Sequence, residues 1–151
     1  NLFVNLGLGL LSTEYQDFVT PDGDFSGNKI PMSPERTVNG LIQYDIPLQS
    51  NDAITLQADF NYQDEVYFDA LANPLLREDD YWLLNARISW ASADDKLEVA
   101  AFGRNLGDEE YMVYAFDLSF FGFNEEMIGT PRAFGLEVTY QLRDVVRPFC
   151  C

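Results

Sequence analysis

The chain has 151 residues, the size of one domain or a piece of one. Acidic residues outnumber basic ones 25 to 9, a formal net charge of −16, which argues against a nucleic-acid partner, since phosphate binding needs a Lys/Arg surface. There is no histidine, which removes Ser-His-Asp and Cys-His catalysis and His-containing zinc sites, while 47% apolar and 15% aromatic residues exclude disorder. No apolar run is long enough for a transmembrane helix. The remaining choice is a β-rich chain that folds in water or spans a membrane as part of a barrel. Asn1 opens inside a patterned segment, so the chain reads as a piece of something longer. Its cysteines, Cys150 and Cys151, are adjacent and too few for a paired CxxC zinc site. No catalytic residue, metal ligand or cofactor is assigned.

Period-2 alternation runs through six segments. In residues 1–14, Leu2, Val4, Leu6, Leu8 and Leu10 share one face, and Asn1, Phe3, Asn5, Gly7 and Gly9 the other. Gly7-Leu8-Gly9 lacks the third glycine of a nucleotide-binding fingerprint. A long link from Tyr15 to Glu35 follows. Its Asp22-Gly23-Asp24-Phe25-Ser26-Gly27 matches the first half of an EF-hand loop. Ser33 then stands where the bidentate Glu is needed, so an EF-hand is not expected. Residues 36–48 set Val38, Ile42, Tyr44, Ile46 and Leu48 against Thr37, Asn39, Gln43 and Asp45, and Gln49–Asp52 makes a tight turn. Residues 53–66 are the cleanest run, with Ile54, Leu56, Ala58, Phe60 and Tyr62 opposing Thr55, Gln57, Asp59, Asn61 and Gln63. After a link from Tyr67 to Glu78, residues 80–91 set Trp82, Leu84, Ala86, Ile88 and Trp90 against Asn85, Arg87 and Ser89. A second tight turn, Ser92–Asp95, leads to residues 96–105, where Leu97, Val99 and Ala101 alternate with Glu98, Ala100 and Phe102. The longest link runs from Asn105 to Thr130. Residues 131–142 then set Phe134, Leu136, Val138, Tyr140 and Leu142 against Gly135, Glu137, Thr139 and Gln141, and residues 143–151 form a tail of unassigned origin.

Each good run has about ten residues, longer than an ordinary strand and the length that crosses a bilayer when tilted. Long and short connections alternate, as in outer-membrane barrels. Tyr44, Tyr62, Trp82, Trp90 and Tyr140 sit near strand ends, where an aromatic girdle lies. A soluble β-sandwich with carbohydrate-binding or adhesive loops also alternates apolar-in and polar-out, and stays open on pattern alone. A small closed barrel acting as an outer-membrane enzyme is a third reading, disfavoured by the lack of histidine.

Three stretches are more specific. Phe102-Gly103-Arg104-Asn105-Leu106-Gly107-Asp108-Glu109-Glu110-Tyr111 resembles the RNL-x-DE-x-Y stretch near the end of TonB-dependent outer-membrane receptors. Gly129-Thr130-Pro131-Arg132-Ala133-Phe134-Gly135 resembles the G-x-PR-x-FG that opens their final strand, and Gly27-Asn28-Lys29-Ile30-Pro31-Met32-Ser33-Pro34 resembles a motif before another late strand. The resemblance implies an all-β, antiparallel transmembrane barrel of roughly 22 strands, of which this chain supplies the last six. It implies an active-transport receptor in the bacterial outer membrane, not an enzyme. Such receptors take up ferric siderophores, haem, cobalamin or oligosaccharides. The implied partners are outer-membrane lipid, a plug domain and further strands upstream of Asn1, TonB through that upstream part, and a small-molecule or glycan ligand. The tail departs from the family, whose members end on a terminal aromatic. Here Phe149 is followed by two cysteines.

Structural roles are expected for Arg104, Asn105, Leu106, Asp108, Tyr111, Pro131, Arg132, Phe134 and Gly135. Pro131 lacks an N–H and suits a strand's first position, Gly135 leaves room for a neighbour, and Asp108 is expected to make a turn through its side chain. The ligand-binding candidates are Tyr111, Tyr114, Phe116, Phe120, Phe121 and Phe123, aromatics of the longest link that can stack on catecholate, porphyrin or sugar rings. The acidic pairs Asp79–Asp80, Glu109–Glu110 and Glu125–Glu126 read as solvated charges, because strand neighbours point to opposite faces. Asp59, Asn61, Asn85, Arg87 and Glu137 are expected to face the lumen.

Overall fold

A computed structural model describes residues 1–21 and 23–142; the tail of residues 143–151 and Asp22 of the EF-hand-like loop lie outside the described residues. The strands are β1 (Leu2–Leu10), β2 (Val19–Thr20), β3 (Gly23–Asp24), β4 (Arg36–Pro47), β5 (Ala53–Gln63), β6 (Val66–Tyr67), β7 (Arg77–Glu78), β8 (Tyr81–Ala91), β9 (Leu97–Arg104), β10 (Met112–Leu118), β11 (Phe123–Ile128) and β12 (Ala133–Tyr140). Short 3-10 turns lie at Pro74–Leu76 and Ser119–Phe121. The six long-patterned strands form one antiparallel meander, in the order β1-β4-β5-β8-β9-β12. Each of the three long links carries a small hairpin of its own, β2–β3, β6–β7 and β10–β11.

Register explains why this sheet forms. Leu2 faces Tyr44, Tyr44 faces Leu56, Leu56 faces Ile88, Ile88 faces Ala101 and Ala101 faces Leu136, an apolar row across all six strands. The adjacent row of the same face is Val4, Ile42, Ala58, Ala86, Gly103 and Phe134. The opposite face carries polar rows, such as Gln43–Gln57–Arg87 and Asp59–Asn85. A one-residue slip would exchange the faces, so the pattern pins the register.

The apolar face is bare. Leu6 is 72% exposed and Leu136 81%, and none of the small hairpin sheets covers it. A sandwich would bury this face against a second sheet, so the soluble alternative is not what the described residues build. β1 and β12 each pair on one side, which leaves two open edges, as expected of an arc cut from a larger barrel.

The expected runs are trimmed at their ends. β1 stops at Leu10 rather than residue 14, because Leu11 N–H donates to Glu35 O and the chain then turns away. β5 stops at Gln63 rather than residue 66, where Asp64 takes the Arg36 guanidinium. β4, β8 and β9 lose one residue or end within one of residues 36–48, 80–91 and 96–105. β12 starts at Ala133, after Pro131, and ends at Tyr140. The longest link, Asn105 to Thr130, builds the β10–β11 hairpin. The tight turns close with Asn51 at φ 64° and Asp95 at φ 54°, residue types that tolerate the left-handed region.

Ala100 of β9 is buried within the wall, and the rest of the packed core lies in the links. Val66, Leu76 and Ala115 are buried, and all three belong to the long links. Leu76 is fully buried, so the links pack on one another as a cap at one end of the strands.

Candidate functional site

The cap is assembled from three links that are distant in sequence. Within the first, Tyr15 and Phe18 rings lie 4.7 Å apart, and Phe18 packs on Phe25 at 5.8 Å. The Asp24 carboxylate accepts the Ser26 N–H at 3.0 Å, and hydrogen bonding from the Ser26 side chain and then its N–H holds its pKa below the usual carboxylate value. The first link joins the second through Asn28 Nδ2 to Ala70 O (3.1 Å) and Met32 N–H to Tyr67 O (2.9 Å). Ion pairs reinforce the seam. Lys29 reaches Glu35 at 3.2 Å and Glu65 at 3.4 Å, Arg36 reaches Asp64 at 2.8 Å, and Arg77 pairs with Glu65 and Asp79. Arg36 holds the Asp64 carboxyl well below its ordinary range. The second link meets the third where Met112 N–H donates to Glu78 Oε2 at 2.8 Å. Burial pushes the Glu78 carboxyl up, with the nearby Asp79 and Glu109 charges adding to the effect. A cavity of about 230 Å³ lies at the junction, lined by Met32, Val66, Phe68, Tyr81 and Met112 among others.

The two motifs of the last third interlock as a latch under the hairpin. Asn105, 4% exposed and at φ 48°, donates from Nδ2 to Glu109 O (2.8 Å) and Thr130 O (3.1 Å). Its Oδ1 accepts the Glu109 N–H at 2.9 Å, and its own N–H donates to Asn85 Oδ1 in β8 at 3.0 Å. One side chain thus ties both ends of the link to the wall. Arg132 donates to Asp108 Oδ2 at 2.9 Å, joining one motif to the other. Against expectation, Asp108 does not make the turn through its side chain: Asn105 O accepts the Asp108 N–H, and the Asp108 carboxylate serves Arg132. Tyr111 stacks on Tyr81 at 4.7 Å, and its ring fills the space that a side chain at Gly129 would need. Leu106 and Phe134 close over Gly103, and the Phe102 ring lies over Gly135. Arg104 sits above the Phe102 ring, 5.3 Å from its centre.

The aromatic candidates divide by position. Tyr111 belongs to the latch. Tyr114 meets Phe68 edge-on at 6.4 Å. Phe116, Phe120, Phe121 and Phe123 are exposed at the hairpin's far end, Phe120 at 92%. Phe120 and Phe121 pack edge to face at 5.3 Å. Asp117 accepts the Ser119 N–H at 2.7 Å, and hydrogen bonding from the Ser119 side chain and then its N–H lowers the Asp117 pKa. Glu125 and Glu126 face Phe116 and Ala115 respectively, on opposite faces of the hairpin. Asn124 Oδ1 is buried without a donor, an acceptor left open.

The polar face of the wall holds a second group. Asn85 donates to Asp59 at 2.7 Å, Thr55 to Asp45 at 2.8 Å, and Arg87 reaches Glu98 at 2.9 Å and Glu137 at 3.3 Å. Glu78 and Asp64 escaped the sequence reading, which placed Asn85 on the lumen face but not as the partner of Asn105. No local pattern marks them, since their partners lie 28 residues or more away for Asp64 and Glu78.

A family model described as "TonB dependent receptor-like, beta-barrel" matches residues 1–106. Three solved structures share the fold. The ferric yersiniabactin uptake receptor FyuA from Yersinia pestis matches at 20% identity and a TM-score of 0.69, over 80% of this chain and 18% of that one. The ferric preacinetobactin receptor BauA from Acinetobacter baumannii matches at 19% and 0.71, over 91% and 19%. The siderophore receptor PiuA from Acinetobacter baumannii matches at 18% and 0.72, over 92% and 19%. The chain therefore spans less than a fifth of the length of these receptors.

Proposed function

This chain belongs to the TonB-dependent receptor β-barrel family, and from that premise we propose that it forms part of the wall and mouth of an outer-membrane uptake receptor. Residues 1–142 supply six strands of the barrel. The apolar face meets lipid, and the polar face, with Asp59, Asn61, Asn85, Arg87 and Glu137, lines the lumen beside a plug domain. The cap lies at the outer surface, where Tyr114, Phe116, Phe120, Phe121 and Phe123 capture a ligand by stacking. Tyr111, with Arg104, Asn105, Leu106, Asp108, Pro131, Arg132, Phe134 and Gly135, sets the hairpin's position. The receptors that share this fold put a ferric siderophore first among nutrients; haem, cobalamin and oligosaccharide follow. Energy coupling through TonB belongs to the receptor's plug, and no covalent step falls to these residues.

The observation that carries the reading is the six-strand wall with one bare apolar face, one polar face and every long link folded into a cap at one end of the strands. The test replaces residues 112–128 by a short Gly-Ser link in the full-length receptor. Growth is then measured under iron limitation on a panel of ferric siderophores. The receptor should reach the outer membrane in normal amount and lose growth on its own siderophore. Unchanged growth would refute capture by the hairpin. A receptor that stays soluble without detergent would refute the membrane reading.

A further inference from the structure

The apolar face of the wall is not smooth. Ala86 and Gly103, paired across β8 and β9, leave the wall low there, while Leu56, Ile88 and Leu136 of the neighbouring row flank them, Phe134 continues their row and Leu106 closes over Gly103. They enclose an open hollow of about 650 Å³. The protein cannot fill it from Gly103, where an added Cβ would come within 2.6 Å of Leu106 and 3.0 Å of Phe134. The floor is backbone already paired in the β8–β9 and β9–β12 ladders, so it offers water no partner. Hydrocarbon suits such a surface; water does not.

Arg132 stands two residues before Phe134, at the cap end of the hollow. Of its five N–H donors, one is used, on Asp108 at 2.9 Å, and the side chain is 43% exposed. We propose that the hollow is a lipid site: an acyl chain lies along Ala86, Ala101 and Gly103, and an anionic phosphate headgroup takes the free donors of Arg132. A guanidinium fork matches phosphate oxygens, and each methylene taken out of water adds to the affinity. The site rests on the membrane reading above.

Native mass spectrometry of the full-length receptor, released from micelles holding equal phosphatidylglycerol and phosphatidylcholine, tests it. Wild type should retain lipid and prefer phosphatidylglycerol. Ala86→Leu with Ala101→Leu fills the hollow and should remove retention of both. Arg132→Gln should keep a lipid but lose the preference, by about fivefold. Heat-modifiable migration in gels reports whether each barrel folded; if the double variant does not fold, Ala86→Val and Arg132→Gln carry the test. Retention unchanged by filling, or a headgroup preference unchanged in Arg132→Gln, overturns the proposal. So does a dimer that disappears on filling, which would make the occupant a second copy. Extraction without detergent would instead strike the membrane reading beneath it.

Discussion

Asn105 shows how one buried polar side chain positions a whole element. It satisfies two carbonyls and one N–H that the turn would otherwise leave unpaired, and it tolerates φ 48°. Asn105→Ala should destabilise the link by about 2–3 kcal/mol, seen as faster proteolysis between residues 105 and 132. Asn105→Gly restores the backbone angle but not the bonds and should recover only part of the loss. Two carboxylates of the second link titrate in opposite senses. Asp64 is held low by Arg36, so its stabilisation is present above the unfolded carboxyl pKa and is lost as pH falls through its folded value. Glu78 is raised by burial, so its charge costs stability above its folded pKa, and that cost is relieved as pH falls through it. Hydrogen exchange at the Met112 amide, corrected for intrinsic rate, should therefore slow as pH falls from neutral toward the carboxyl range. Glu78→Gln keeps an acceptor for Met112 and should flatten that dependence; a wild type already flat would show that burial at Glu78 is not felt.

At the scale of elements, the six wall strands were legible because alternation is local: each residue's neighbours two positions away declare its face. The cap was not legible. Leu76 reads as one more apolar residue in a Pro-Leu-Leu stretch, and nothing nearby announces that it will be fully buried beneath a hairpin formed by residues 112–128. The motif residues could be placed by resemblance, yet the turn-making role fell to Asn105 rather than Asp108, because the deciding partners, Asn85 and Thr130, come from other elements. Exposure separates the hairpin's two ends. Leu76→Ala should cost about 2–5 kcal/mol and loosen all three links, read by hydrogen exchange across residues 64–80 and 112–128. Phe120→Ser with Phe121→Ser removes rings that are 92% and 70% exposed, and should change stability by no more than about 0.5 kcal/mol per site. The same pair should weaken siderophore capture by whole cells about tenfold, in line with the loss of one or two stacked rings. Full-strength capture without those rings would assign ligand contact to other loops.

At the scale of the molecule, the sheet cannot stand in water as it is. An apolar row crosses all six strands, its leucines largely exposed, and both sheet edges carry unpaired backbone. In a bilayer, and closed by further strands, both liabilities become the reason the fold is stable. The central claim is that one face of this wall meets lipid and the other meets water. Spin labels placed singly on β5, from Ile54 to Tyr62, in the full-length receptor reconstituted in bilayers test it most directly. Collision with oxygen, which concentrates in hydrocarbon, should be high at Ile54, Leu56, Ala58, Phe60 and Tyr62. Collision with a water-soluble nickel chelate should be higher at Thr55, Gln57, Asp59 and Asn61. A uniform response along the strand, with the chelate reaching both faces equally, would contradict the account.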